Sequence, residues 1–174
     1  MDTNLIIELM EIPHWYALYT RSRHEKKVDA QLKEKGIESY LPLHTVIRQW
    51  SDRKKKVEEP LFRCYVFVHL ALKDRLRALQ TEGVVRMVSF GGKPSVIPDS
   101  QIEAVKRLLQ EGLVIEPYQY LKEGQWVEVV QGPLTGLQGI LIEKRGSQKL
   151  VVSIDSIRQS ISVQIDARLV KAIY

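Results

Sequence analysis

The sequence predicts a two-domain α+β protein, with a layered α/β domain first and a small all-β barrel after it. Three observations carry this expectation. Strand and helix signals alternate from residue 13 to residue 111, the mark of a layered domain. The composition changes after Gly112, and no helix-length pattern appears from Gly124 onward. Five of the ten glycines fall between Gly124 and Gly146, separating short β-branched runs. A chain of 174 residues has room for one large domain or two small ones.

The elements follow in order. His14 to Thr20 is rich in aromatic residues and bounded by Pro13, which reads as a strand. A helix over residues 23–35 comes next: Ser22 and Glu25 have capping-box spacing, Val28 and Leu32 form a narrow apolar stripe, and Gly36 ends it. After residues 37–43, the segments 46–50 and 54–58 flank Ser51, Asp52 and Arg53 as an extended hairpin with a basic tip. Tyr65 to Val68 is the strongest strand signal in the chain. Leu72, Leu76 and Leu79 recur at helical spacing and stop before Gly83, predicting a second helix. Residues 84–89 form another strand, and Gly91-Gly92 a turn. A third helix starts near Ser100, with a capping box to Glu103, turns Ile102, Val105, Leu108 and Leu109 inward, and ends at Gly112.

Residues 113–121 contain Glu116-Pro117 and two tyrosines without periodicity and are expected to be a linker. The resulting division is an N-terminal extension (1–12), a layered domain (13–112), the linker (113–121) and a β module (122–174). Within the module Ile161, Val163 and Ile165 alternate with Ser162 and Gln164, which places one face in a core and the other in water. Valine and isoleucine dominate its apolar positions, while Gly132, Pro133, Gly136, Gly139 and Gly146 oppose a helix, so the module is expected to stay β.

Composition narrows the function. Hydrophobic residues at 44% and charged residues at 27% exclude a disordered tail and a collagen-like fibre. No apolar run approaches the ~20 residues needed to cross a bilayer. The first twelve residues contain Asp2, Glu8 and Glu11 rather than the positive start of a secretory signal, so a cytoplasmic protein without membrane association is expected. The single cysteine, Cys64, cannot form an internal disulfide and reads as a small half-buried structural thiol. His14, His24, His44 and His69 have no metal-ligand spacing, and Gly91-Gly92-Lys93 lacks the glycines and hydroxyl of a phosphate-binding loop. Without convergent reactive groups, the expectation is a binding protein with no catalytic residue, no metal and no cofactor.

Charge points to a partner. Lys and Arg number 26 against 21 Asp and Glu, a net +5, yet residues 21–56 alone hold eleven basic and five acidic residues, a surplus of six. One patch therefore carries the positive field, either for a polyanionic partner or as a solvated face. Arg21, Arg23, Lys26 and Lys27 crowd a helix start, where the helix dipole disfavours cations, so local stability does not explain them. Arg48, Arg53, Lys54, Lys55 and Lys56 share the hairpin with Trp50, a combination suited to nucleic acid or to protecting an exposed edge. On the central strand Tyr65 and Phe67 share one face, and Val66 and Val68 the other. Both faces are apolar, so either one is core and one an interaction surface, or both are buried.

These residues resemble the NusG transcription elongation factors. His14-Trp15-Tyr16-Ala17-Leu18-Tyr19-Thr20, the basic helix, and Glu59-Pro60-Leu61-Phe62-Arg63-Cys64-Tyr65-Val66-Phe67-Val68 are similar to the family's N-terminal (NGN) domain. Residues 124–139, from Gly124-Gln125-Trp126-Val127 to Gly136-Leu137-Gln138-Gly139, are similar to its KOW motif. The run from Val46 to Lys56 further resembles specialised paralogues of the UpxY and RfaH kind, which act on long operons for surface polysaccharides.

The resemblance implies an NGN α/β sandwich with a central antiparallel sheet, joined to an SH3-like KOW β-barrel. It implies no catalysis, but docking on the β′ clamp helices and β subunit of RNA polymerase and contact with the non-template DNA strand, with suppression of pausing and, in specialised members, antitermination. Carried over by position, Tyr19, Phe62, Tyr65 and Phe67 would line the polymerase-binding hollow, and Arg21, Arg23 and Lys27 would lie toward the DNA. Lys26, Arg53, Lys54, Lys55 and Lys56 complete the expected nucleic-acid contacts. Ile157 matches the exposed apolar loop residue through which the KOW domain meets ribosomal protein S10 or Rho. A monomer is expected. The alternative reading is an RNA- or ribosome-binding KOW protein that does not engage polymerase. Two departures stand out: the family's Phe-Pro-Gly-Tyr is Phe62-Arg63-Cys64-Tyr65 here, and Glu82 occupies a position basic in specialised paralogues.

Overall fold

The computed structural model describes residues 3–50, 52–144 and 146–173. The elements are α1 (Thr3–Glu11), β1 (His14–Thr20), α2 (Glu25–Glu34), β2 (Glu38–Tyr40), β3 (Leu43–Gln49), β4 (Lys54–Pro60), β5 (Tyr65–Leu70), α3 (Arg75–Leu79), β6 (Val84–Met87), β7 (Ser89–Phe90) and β8 (Lys93–Pro94). After them come α4 (Asp99–Gln110), β9 (Ile115–Tyr118), β10 (Gln125–Val129), β11 (Gln138–Lys144), β12 (Ser147–Ile154), β13 (Gln159–Gln164) and β14 (Val170–Ala172). The chain divides into two compact units, Met1–Asp99 and Ser100–Tyr174.

The first unit is built on an antiparallel sheet of order β2-β5-β1-β6. Alternation along β1 and β5 sends Tyr16, Leu18, Val66, Val68 and Leu70 to one face, where they pack with Val28 and Leu32 of α2, Ile37, Ala78 and Met87. The strands stand where the aromatic and β-branched pattern puts them. The second helix is shorter than its leucine spacing suggests: a 3-10 turn (Leu72–Asp74) leads into α3, and Leu76 faces solvent while Leu72 and Leu79 pack at the edge of the core. β3 and β4 pair only with each other, from Leu43↔Pro60 to Gln49↔Lys54, as the expected hairpin. Ser51 of its tip lies outside the described residues. β7 and β8 form a second hairpin across Gly91 and Gly92, both at positive φ as a type I′ turn requires.

The second unit holds a sheet of order β14-β10-β11-β12-β13-β9, antiparallel throughout. The segment expected to be a linker therefore contains a strand, because β9 pairs with β13 from Ile115↔Val163 to Tyr118↔Ser160. With both neighbours in place, β13 is not half-wet: Ser160 and Ser162 are buried along with Ile161 and Val163. Ser160 is accommodated by hydrogen bonds, its hydroxyl lying 2.6 Å from that of Ser153 and accepting the Leu121 N–H at 3.3 Å. Helix α4 lies almost wholly within this second unit. Gln101 donates to Asp155 (2.7 Å) and accepts its N–H (3.2 Å), and Arg107 donates to the carbonyls of Pro133 (3.1 Å) and Thr135 (2.8 Å).

Both predicted capping boxes fail. α2 starts at Glu25 without a side-chain cap, and α4 starts at Asp99, which puts Ser100 inside its first turn. The N-terminal extension is helical, since α1 covers most of it, and Glu11 forms an ion pair with Lys73. Of the apolar residues assigned inward on α4, Ile102, Val105 and Leu108 are buried and Leu109 is half-buried, while Ala104 joins the buried set.

Candidate functional site

The second face of the N-terminal sheet is an aromatic stripe fixed by strand register. Tyr19 stands opposite Tyr65, Ala17 opposite Phe67 and Trp15 opposite His69, with Tyr40 of β2 beside Phe67. The rings meet in three groups: Trp15 and His69 stack at 5.0 Å, Tyr40 and Phe67 stack at 6.5 Å with Phe62 meeting Phe67 edge-on at 5.8 Å, and Tyr19 meets Tyr65 edge-on at 5.5 Å. Phe67 and Phe62 are 0% and 1% exposed, so at Phe67 the reading with both faces of the strand buried holds. The ring contacts from Tyr40 and Phe62 explain part of that burial. Accessible area on this stripe lies with Tyr19, Tyr65, Tyr40 and His69, all half-buried. Burial pushes the Tyr65 phenol up, against a downward pull from Arg86.

Arg86 was not visible as a site residue in the sequence. β6 pairs with β1 so that Arg86 stands opposite Tyr19, and its guanidinium lies 5.4 Å from the centre of that ring. The signal for it is the pairing of two strands some 65 residues apart in sequence, which local periodicity does not carry.

The basic start of α2 is anchored at its base. Arg21 N–H donates to the Gly83 carbonyl (2.8 Å) and Thr20 N–H to the Cys64 carbonyl (2.9 Å). Glu25, almost fully buried, turns its carboxylate away from a cap to accept the Cys64 N–H at 2.8 Å. Cys64 has φ +65°, the left-handed conformation glycine adopts readily, so the loop before β5 keeps that geometry without the glycine. Arg23 also lies at φ +64°. Arg21, Arg23, Lys26 and Lys27 are all exposed, but two are engaged. Lys26 donates to the Glu58 carbonyl (2.8 Å) and Lys27 pairs with Glu82 (2.8 Å). The Lys27 hydrogen bond holds the Glu82 carboxyl below its ordinary value, with smaller contributions from His24 and Arg21.

At the hairpin, Arg53, Lys54, Lys55 and Lys56 are exposed and make no ion pair among the described residues. Lys55 lies over the exposed Trp50 ring, 5.3 Å from its centre, and Trp50 N–H donates to the Arg53 carbonyl (2.8 Å) to close the turn. Arg48 is bound to Glu59 at 2.6 Å and is removed from the free cations.

Ile157 ends a 3-10 turn (Asp155–Ile157) and is only 7% exposed, which corrects the expectation of an open apolar loop residue. The turn is held from two sides: Asp155 takes hydrogen bonds from Gln101 of α4 and from the Tyr120 hydroxyl (2.9 Å). No three His, Cys, Asp or Glu side chains gather as a metal group among the described residues.

The chain as a whole is similar to known proteins. A family model described as "Transcription termination factor nusG" matches residues 13–106, more than half of the chain. The transcription termination/antitermination protein NusG of Campylobacter jejuni is 28% identical, across 83% of this chain and 90% of that protein. Its counterpart from Pseudomonas aeruginosa is 27% identical, across 74% and 80%. Among solved structures, "Domain interaction in Thermotoga maritima NusG" aligns with a TM-score of 0.54 and 25% identity, covering 93% of this chain and 98% of that one. The relatives are transcription factors and not enzymes. The chain belongs to the NusG family of transcription factors.

Proposed function

We propose that this chain is an elongation and antitermination factor that binds RNA polymerase through the aromatic stripe of its N-terminal unit. The docking partners are the β′ clamp helices and the β subunit, and the basic segment and hairpin meet the non-template DNA strand, suppressing pausing or termination on long polysaccharide-type operons. The observation that carries this reading is the half-open Tyr19–Tyr65 pair with Arg86 over the Tyr19 ring. Aromatic rings and an arginine grouped beside a fully packed core are the residue types that anchor interfaces. The division into a polymerase-binding part (13–112) and a KOW module (122–174) that takes S10 or Rho at the turn holding Ile157 belongs to the same proposal, as does a monomeric state. The reading as a KOW protein that does not engage polymerase is the less favoured, because it gives the half-open Tyr19–Tyr65 pair and Arg86 no partner.

Tyr65 is the residue to change. Phe67→Ala would open a buried cavity at a cost of about 3–5 kcal/mol to folding, which confuses the reading. Tyr65→Ala is expected to weaken binding to core RNA polymerase about thirtyfold, the equivalent of losing a ~2 kcal/mol aromatic anchor. Titration of labelled protein with core enzyme in the absence of nucleic acid measures this. Normal affinity in a folded variant overturns the docking surface.

A further inference from the structure

Phe90 is the most exposed large hydrophobic residue among those described, at 87%. It is not on a loose loop. It sits in β7 directly across from Lys93, on either side of the Gly91-Gly92 turn. The root of this hairpin is tied to β1 on both sides, Val88 N–H donating to the Ala17 carbonyl and Ile97 N–H to the Trp15 carbonyl, each at 2.8 Å. Ser95 N–H closes it onto the Val88 carbonyl at 3.0 Å. A phenyl ring is thus held in water at the apex of a rigid mount.

The surroundings decide what could cover it. Of the other residues in the hairpin only Pro94, half-buried, is apolar, so the hairpin offers two apolar side chains and not the broad patch that a protein partner buries. A nucleobase needs only one π-face. Lys93 is exposed, forms no ion pair among the described residues, and lies on the neighbouring strand within roughly 5 Å at the Cβ level, the separation of a cross-strand pair. A hypothetical Cβ on Gly91 or Gly92 would meet nothing within 4 Å, so a backbone can approach the turn closely. The Ser89 hydroxyl donates to the Met87 carbonyl at 3.1 Å, so beside the ring it has only acceptor capacity left.

We propose that the hairpin over residues 89–94 is a base-stacking contact for single-stranded DNA, with Phe90 taking a base and Lys93 the adjoining phosphate. This site is separate from the basic segment and from the Trp50 hairpin, and it does not depend on polymerase docking. The test uses the full chain and a fluorescent oligo(dT), with affinity read by anisotropy over a range of salt. Phe90→Ala is expected to lower affinity about tenfold at every salt concentration with the salt slope unchanged, since one stacked base is lost and no charge. Phe90→Trp is expected to restore binding, and Lys93→Gln to reduce the slope by about 0.7. Unchanged affinity in Phe90→Ala, or no binding of the wild type at low salt, overturns the proposal. A Phe90-dependent preference for oligo(rU) overturns the assignment to DNA. Loss of polymerase binding without nucleic acid, alongside normal oligo(dT) affinity, would make the occupant a protein and overturns it too.

Discussion

The two basic stretches of this chain each carry four cations, and they are mounted in opposite ways. Arg21, Arg23, Lys26 and Lys27 stand on a junction where β1, α2, the loop before β5 and Gly83 are cross-tied by backbone and carboxylate hydrogen bonds. Three residues there, Arg23, Cys64 and Gly83, hold left-handed backbone conformations. Arg53, Lys54, Lys55 and Lys56 sit on a regular two-stranded ribbon whose outer half buries no side chain. The junction fixes where its charges point but gives up part of them, to Glu82 and to the Glu58 carbonyl. The ribbon leaves these four cations without an ion pair among the described residues. Equal counts of lysine and arginine therefore do not mean equal fields.

The sharpest way to break this contrast is at Gly83. It lies at φ +96°, and an added Cβ would come within 3.1 Å of both His24 Cβ and Val28 Cγ2. Gly83→Ala is expected to destabilise the fold by about 2 kcal/mol, combining left-handed strain with crowding against α2. Arg53→Ala on the ribbon should stay within about 0.5 kcal/mol of the wild type. Urea unfolding midpoints of the two variants compare them directly, and similar midpoints would remove the distinction between a strained junction and a free ribbon.

A somewhat smaller effect separates the charges themselves. Changing Lys54, Lys55 and Lys56 together to Gln should lower the salt slope for single-stranded DNA by about 2, at about 0.7 per phosphate contact. Replacing Arg21, Arg23 and Lys27 with Ala should lower it by only about 1.4, because Lys27 is already paired with Glu82. Equal losses would show that the ion pair does not withhold Lys27. An unchanged slope after the second set would assign that segment to solubility.

What the sequence made legible is what local patterning decides. β1, β5 and the β3–β4 ribbon follow from aromatic and β-branched runs between turn residues, and the Gly91-Gly92 turn from the freedom of glycine at positive φ. The failures are all matters of what meets what. Glu25 has the spacing of a capping box but finds the Cys64 N–H, a partner 39 residues away. Residues 115–118 lack periodicity because a strand with Glu116 and Pro117 is recruited by its pairing with β13 and not by its own propensity. The burial of Phe67 and Ile157 is not legible in their own segments, since it depends on Phe62, Tyr40 and the turn clasped by Gln101. Arg86 became part of the aromatic stripe only through strand register.

Glu82 offers the finest adjustment of the comparison, because it alone turns one mounting toward the other. Its carboxyl is held below the ordinary 4.5 chiefly by the Lys27 hydrogen bond, so it stays charged throughout the neutral range and keeps Lys27 neutralised there. Glu82→Gln leaves Lys27 free to meet a phosphate, and should steepen the salt slope by about 0.7 and raise single-stranded DNA affinity roughly threefold at low salt. The sign of the pH effect follows from the same pair. Wild-type protein regains this contact only as pH falls below about 4.5 and through the lowered carboxyl value, whereas the Gln variant has it at every pH. The gap between the two proteins should thus be widest near neutrality and should close on acidification. Anisotropy titrations of both proteins at neutral and acid pH measure it. A gap that stays constant with pH would mean that Glu82 acts through the shape of the junction and not through the charge of Lys27.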